Sequence, residues 1–485
     1  MKKVLSGITI IIILWISTIA IVGSKTKSEI EKIVERGNQV YSQYGLKVDI
    51  VDYQKSFFNA IAKIKIDVLD VELKDSISKE YGLSLPITTE YHIEHGPIFF
   101  RSGLGFGLSK IDEELEINSL FTPEYQKNFI TTAIMHSNID ISFSKIANYI
   151  VSSDVIVVKD KNKEITISPF EIKGKSNLEN LTGEMQMVMP LISFIEDDKN
   201  MTIESMTMNV KMDKLISKSL AMGRIDISMK NFHISDKQSG EIEVTPTFHI
   251  ISHKDGEKTF SSKVEMDMDF NNSTTEPSLS DIDNLTLMVE VDGVGIKGMQ
   301  SYQEKIKKIE QEQASIMIDL HKNPNNKEEN YQKLLELQQK MAKSLFDSLK
   351  DILFKDKTAI RYNFKSQTKD KKESHGDVIV GYTGNIDFTK TAKEISQRVN
   401  SDIFSLFKLE MDISVDETHI LALPNGDEFL QQLQLPMLQT MIKHKNKKYE
   451  IKGHLKNQEL ILNDENLTNT VLPLLKMFSQ LNMSK

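Results

Sequence analysis

The chain has 485 residues, a formal net charge of −9 and no cysteine. That length allows a large core in roughly two to four domains, and the missing thiols exclude disulfides and attachment of lipid through a cysteine. The 60 basic residues are spread among 69 acidic ones, a mixed-charge surface that excludes a basic nucleic-acid footprint.

In chain order, Met1, Lys2 and Lys3 precede the uncharged run "VLSGITIIIILWISTIAIV", residues 4–22. At about 1.5 Å per helical residue this run spans about 28 Å, close to the hydrocarbon thickness of a bilayer. It is longer than the apolar core of a cleaved signal peptide, roughly 7–15 residues. The pattern predicts an uncleaved transmembrane anchor over 1–23, with the amino terminus cytoplasmic and the body on the far side. A helical face follows in Ile30, Ile33, Val34, Val40 and Tyr41, up to Gly45.

The period then changes to two. "LKVDIVDY", "AIAKIKIDVLDVEL", "SLPITTEYHIEH", "EITISPFEIKG", "MTIESMTMNVKM" and "NLTLMVEVDGV" alternate apolar and polar residues, the mark of half-buried antiparallel strands. Two stretches, "TPEYQKNFITTAIMH" and "DKLISKSLAM", read as brief helices. Residues 24–297 are thus expected to be an anchor-proximal helix plus a β-rich body. At 298–355 an αα-hairpin is predicted. Its first helix places Tyr302, Ile306, Ile309, Gln313, Ile316 and Leu320 on a heptad-like seam. Its second places Tyr331, Leu334, Leu335, Gln338, Met341, Leu345, Leu349 and Ile352 on one face. Residues 356–485 return to strands and short helices and complete the body. The fold class expected is α+β and β-dominated: a large twisted or curled antiparallel sheet with an inserted αα-hairpin and an N-terminal transmembrane helix.

Motifs for chemistry are sparse. The chain has no G-x-S-x-G elbow, P-loop or H-E-x-x-H. "EYHIEHGPIFF" (residues 90–100) offers His92 and His95, but on a strand these point to opposite faces, so both cannot bind one metal from regular strand. Pro97 lacks an N–H, so His95, Gly96 and Pro97 are expected to form a structural turn at a strand end. "DGVGIKG" reads as a strand-to-helix turn, and "GLGFGL" as a place of close backbone packing. The acids of "EMDMDF" read as a solvated strand face. His375, His419, His444 and His454 have no ligand spacing in one dimension. No catalytic, cofactor-binding or metal-ligating residue is assigned. The unusual feature is methionine, 22 in all. Met185, Met187, Met189, Met206, Met208, Met266 and Met268 step mostly by two along strands. They are either ordinary core or the lining of an adaptable apolar groove for a ligand such as an acyl chain.

Four features in order resemble the YdgA-like family of bacterial envelope proteins. They are the lysine-flanked N-terminal run followed by "VDYQKSFFNAIAKIKIDV", the turn "EHGPIFF", the paired helices from "SYQEKIKKIEQEQ" to "SLKDIL", and the hairpin "YEIKGHLKNQELILNDENLT". The resemblance covers essentially the whole chain and implies a single-pass protein of the Gram-negative inner membrane, its body in the periplasm, with no assigned activity and no catalytic residues. The expected function is non-enzymatic: a membrane-anchored periplasmic protein that binds an envelope protein or a lipid. The competing readings are an envelope hydrolase whose site is assembled from dispersed residues, and a structural homo-oligomer built through the αα-hairpin.

Overall fold

The computed structural model describes residues 34–35, 38, 46–56, 58–68, 74–75, 77–79, 82–99, 105–217, 220–236, 240–270, 279–322, 327–384, 386–387, 406–423, 425–439, 441–456 and 458–470. The chain forms two compact units, residues 1–234 with 307–338 and residues 235–306 with 339–485.

Unit 1 is antiparallel sheet. In chain order its strands are β1 (Leu46–Lys55), β2 (Asn59–Val68), β3 (Ile87–His95), the two-residue β4 (Ile98–Phe99) and β5 (Gly105–Phe106), then β6 (Ser109–Glu116). After the single-turn helix α1 (Pro123–Gln126) come β7 (Ile134–Ile141), β8 (Ile146–Ser153), β9 (Ile156–Asp160), β10 (Lys163–Ile167), β11 (Glu171–Asn177), β12 (Thr182–Met189), β13 (Ile192–Glu196), β14 (Lys199–Ser217) and β15 (Leu220–Asp236). One path of pairing runs β1–β2–β3–β6–β7–β8–β11–β12–β14. A second runs β9–β10–β13 and ends on the same β14, whose first residues pair β13 and whose later ones pair β12.

Alternation sets which face is inside. In β2 the residues Ala60, Ala62, Ile64, Ile66 and Val68 are buried, while Lys63 is exposed and Lys65 half-buried. Ile156, Val158, Ile165 and Ile167 of the second path enter the same apolar cluster as Ile64, Tyr91, Ile111, Ile139 and Val151 of the first. The unit 1 core is therefore closed by its own strands, and each fully buried aliphatic contributes about 1.5–3 kcal/mol. Val34 belongs to this cluster, and the Asn38 amide accepts the Val48 N–H at 2.8 Å and donates to the Val48 carbonyl at 2.7 Å.

Unit 2 is a meander. β16 (Gly240–Lys254), β17 (Thr259–Phe270), β18 (Ile282–Gly295), β19 (Ala359–Thr368), β20 (Glu373–Tyr382) and β21 (Phe407–Asp416) each pair with the next. β21 then pairs β23 (Lys448–Lys456), which also carries β22 (Lys443–Lys445) and β24 (Glu459–Leu462), and β24 pairs β25 (Glu465–Asn466). Helices α2 (Ile296–Lys322) and α3 (Lys327–Ile352) follow β18 and precede β19 in the chain, residues 307–338 belonging to unit 1. Three short helices, α4 (Glu417–Leu421), α5 (Gly426–Leu433) and α6 (Pro436–Gln439), lie between β21 and β22.

The glycines of "DGVGIKG" have positional reasons. Gly293 has φ +63°, a left-handed conformation, and its N–H donates to Asp255 Oδ2 at 3.1 Å while its carbonyl accepts Thr358 Oγ1–H at 2.7 Å. A side chain at Gly298 would collide with the Asp351–Ile352 backbone. Among the described side chains of α3, Asn330, Leu337, Ser348 and Ile352 are buried, whereas Tyr331, Leu335 and Leu345 are exposed. The apolar stripe expected on this helix is therefore only half used.

The expected transmembrane helix is corrected, and with it the single-pass inner-membrane and periplasmic placement. Among the described residues no helix is long and apolar enough to cross a membrane. The long helices α2 and α3 carry charges such as Lys297, Glu304, Lys305, Glu312, Glu329 and Lys333 every few positions, which the hydrocarbon interior penalises. The run 4–22 lies outside the described residues, as do most of the anchor-proximal helix and the helices expected at 392–400 and beyond 470. The sheet expectation stands as a large antiparallel, β-dominated architecture.

Candidate ligand-binding site

Residues paired across an antiparallel sheet point to the same face. In unit 2 this produces an apolar band seven strands wide. One row is Ile250, Val264, Val289, Tyr362, Val378, Met411 and Gly453. The next is Phe248, Met266, Leu287, Phe364, Gly376, Ile413 and Ile451. The intervening residues Glu265, Glu290, Arg361, Asp377 and Asp412 are polar and face the other way. The band is incompletely buried: Val264 is 45% exposed, Leu287 38%, Val289 39% and Tyr362 49%. Contiguous exposed apolar surface is the kind that ligands and partner chains cover.

At one end the band runs under helices α4–α6 and becomes a cavity of about 450 Å³, within the roughly 300–1,000 Å³ of ligand pockets. Its floor includes Leu285, Phe364, Ile413 and Ile451 from the sheet, and its roof includes Ile420, Leu423, Phe429 and Leu433 from the helices. The local sequence explains the roof. Asp416 caps α4, its Oδ1 accepting the Thr418 N–H at 3.0 Å. Asn425, at φ +61°, breaks the chain before α5. Phe429 and Leu433, four residues apart, share the inward side of α5.

The cavity wall holds one ordered polar pair. Ser374 Oγ lies 2.8 Å from His419 Nδ1 and accepts the Asp416 N–H at 2.9 Å. Ser374 is buried, and among the described residues the acceptor found for its hydroxyl proton is His419 Nδ1. Satisfying that proton leaves the imidazole proton on Nε2, which is buried and finds no partner among the described residues. Burial holds the His419 pKa below its usual value, more than the nearby Asp416 carboxylate raises it; Lys372 and Lys448 add to the lowering. The ring is thus neutral at physiological pH. Burial alone would raise the Asp416 pKa, but hydrogen bonds from Thr418 and the charge of Lys372, joined by that of His419 once the ring is protonated at low pH, bring it below the usual carboxylate value.

Ser374 and His419 line the pocket and Asp416 lies beside them, but their connections differ from those of a Ser-His-Asp triad. The Asp416 carboxylate is occupied as a helix cap, and Ser374 Oγ serves as donor to the ring nitrogen that a triad gives to its carboxylate.

The seven methionines divide between the units. Met187 and Met189 are buried in the unit 1 cluster, with Met185, Met206 and Met208 packed against it. Met266 and Met268 lie on β17 in unit 2, Met266 opposite Leu287 and Met268 opposite Leu285. None of the seven lines the cavity. His95, Gly96 and Pro97 end β3. The His95 N–H donates to the Phe58 carbonyl at 2.7 Å and the Gly96 N–H to the Leu108 carbonyl at 2.9 Å, and the Gly96–Pro97 peptide is cis. A side chain at Gly96 would collide with the Gly107 carbonyl, which joins this turn to the "GLGFGL" stretch. His95 is buried while His92 is half exposed beside Glu90. Among the described residues no group of three His, Asp or Glu side chains is placed to hold a metal.

His419 and Ser374 carried no signal in one dimension. They are 45 residues apart, and only the pairing of β20 with β21 brings them together.

A family described as bacterial protein of unknown function (DUF945) matches residues 1–470. No curated protein and no solved structure matches.

Proposed function

The chain belongs to that family, DUF945, and from the geometry of unit 2 we propose that it is a binding protein for an acyl chain. The observation that carries this reading is the apolar band that leaves Val264, Leu287, Val289 and Tyr362 more than a third exposed and continues into the cavity under α4–α6. A chain laid along the band removes apolar surface on both partners from water, worth roughly 25 cal/mol per Å² before the costs of association. Met266 and Met411 on the band adapt their shape to such a ligand without loss of contact. Of the partners expected from the sequence, a lipid suits this surface better than an envelope protein. The finer assignment, to YdgA-like proteins, belongs to the proposal and rests on the turn at His95, Gly96 and Pro97 and the paired helices.

The test is extraction of the purified full chain with organic solvent, followed by mass spectrometry. The reading expects acyl lipid at near one per chain, reduced by Leu287→Asp. Protein that carries no lipid and takes up none on incubation with phospholipid vesicles overturns it.

A further inference from the structure

Although the chain is acidic as a whole, one end of unit 2 is basic. Three turns meet there: residues 369–373 between β19 and β20, 416–418 at the start of α4, and 443–448 around the β22–β23 hairpin. Lys448 Nζ donates to the Glu373 carbonyl at 3.2 Å, Lys372 Nζ to Thr418 Oγ1 at 2.8 Å, and the Glu417 N–H to the Lys447 carbonyl at 2.9 Å. These bonds hold the turns side by side. Together the turns carry seven lysines and four acids. Lys371 pairs with Asp283 at 2.9 Å and Lys443 with Asp464 at 3.9 Å, whereas Lys369, Lys372, Lys445, Lys447 and Lys448 make no ion pair among the described residues. Of the acids, Asp416 is buried as the α4 cap and Glu417 meets His444 Nε2 at 2.9 Å. Lys445 and Lys447 are exposed.

This basic patch adjoins the cavity. Ser374, His419, Ile442 and Tyr449 of the cavity wall are each the immediate chain neighbour of one of the turns, and the His444 ring stacks on that of Tyr449 at 4.3 Å. Unpaired ammonium groups beside an apolar cavity match a molecule with an anionic head and an apolar tail, and a surface made of such molecules is an anionic bilayer. Lysine supplies point charges without a fixed fork, which suits a fluid layer of phosphates. The turns contain no arginine, and Tyr449 is buried, so the patch lacks the stacking platform that single-stranded nucleic acid uses. The net charge of −9 repels anionic lipid elsewhere on the chain, so attraction at this end also orients the approach. Resting on the acyl-chain reading above, we infer that the lysine end of unit 2 docks on a bilayer surface rich in anionic phospholipid, bringing the cavity to the layer that supplies the acyl chain.

The experiment is co-sedimentation of the full chain with vesicles of phosphatidylcholine alone or of phosphatidylcholine and phosphatidylglycerol in equal parts. Binding should favour the anionic vesicles, and the preference should vanish at about 1 M salt, where the Debye length is about 3 Å. Lys445→Gln combined with Lys447→Gln should weaken binding about 25-fold, from about fivefold per lysine at an anionic surface. Lys159→Gln combined with Lys161→Gln, at the β9–β10 turn of unit 1, should leave it unchanged. Because the chain has no cysteine, Asn446→Cys carries a single bimane label whose emission should shift on anionic vesicles, while a label on Lys161→Cys should not respond. This readout reports the face itself, whatever other part of the chain meets the vesicle. Equal binding to both vesicles, equal losses from the two lysine pairs, or a silent label at position 446 overturns the docking face. Tighter binding to a DNA oligonucleotide than to the anionic vesicles also overturns it, in favour of a nucleic-acid partner. Both glutamine variants should still bind Nile red in solution, and it is the failure of that binding in the wild type that overturns the acyl-chain reading.

Discussion

Ile111 in unit 1 and Val289 in unit 2 hold equivalent stations. Each is in the middle of a strand with antiparallel neighbours on both sides, and each faces apolar partners: Ile93 and Ile139 for the first, Val264 and Tyr362 for the second. Ile111 is 0% exposed and Val289 is 39% exposed. The difference lies in what covers them. In unit 1 the β9–β10–β13 strands and residues such as Leu83, Ile117 and Phe121 complete one cluster over the sheet. In unit 2 three helices of five, eight and four residues roof one end of the band. The same alternating pattern thus builds a closed core once and an open surface once.

Five substitutions break or sharpen that contrast. The largest effect belongs to the closed side. Ile111→Ala should cost about 3 kcal/mol, the usual range for an aliphatic truncated in a sealed core, whereas Val289→Ala should cost less than about 1 kcal/mol. Denaturant unfolding of the two variants measures both, and equal losses would remove the distinction. Next comes Gly96→Ala, where the added methyl meets the Gly107 carbonyl; about 2 kcal/mol is expected, from forced backbone movement.

Asp416→Ala should cost about 1 kcal/mol by removing the cap of α4, and the loss should depend on pH. The folded-state pKa of Asp416 lies below its ordinary value of 3.8, so its contribution is complete above that value and is lost as pH falls through the lower folded one. Unfolding curves of wild type and variant should therefore be separated at pH 7 and converge as the pH falls through the lowered folded-state value. A gap that persists at low pH would assign the cap's worth to something other than the carboxylate charge. The smallest expected effect on stability is that of Leu287→Asp, within about 0.5 kcal/mol because the site is open to water. The same change should nonetheless remove bound lipid.

The sequence was informative about faces and poor about covers. Alternation in "AIAKIKIDV" and "NLTLMVEVDGV" located strands and told which residues share a side, because side-chain direction repeats every two residues whatever lies above. Helical spacing located α2 and α3 for a similar reason. "DKLISKSLAM" was misread as a helix. Its apolar residues fit either period, and the structure runs β14 to Ser217 and starts β15 at Leu220. "TPEYQKNFITTAIMH" yields only the single turn α1 before β7, since the β-branched run Ile130, Thr131, Thr132 favours extended backbone. The methionine stripes were visible, but their division into five packed in or against the unit 1 cluster and a half-buried pair in unit 2 was not. That division depends on which strands lie over which. His419 stayed hidden for the same reason, its partner Ser374 being supplied by strand pairing alone.

The most direct measurement is a Nile red titration of the wild-type chain and of Ala422→Phe, which places a ring in the cavity that Ala422 lines. Saturable one-to-one binding by the wild type, weakened at least about tenfold by Ala422→Phe with little change in melting temperature, is the result expected of an open acyl-chain site. A wild type that shows no saturable binding, or a variant that binds as well as the wild type, would contradict it.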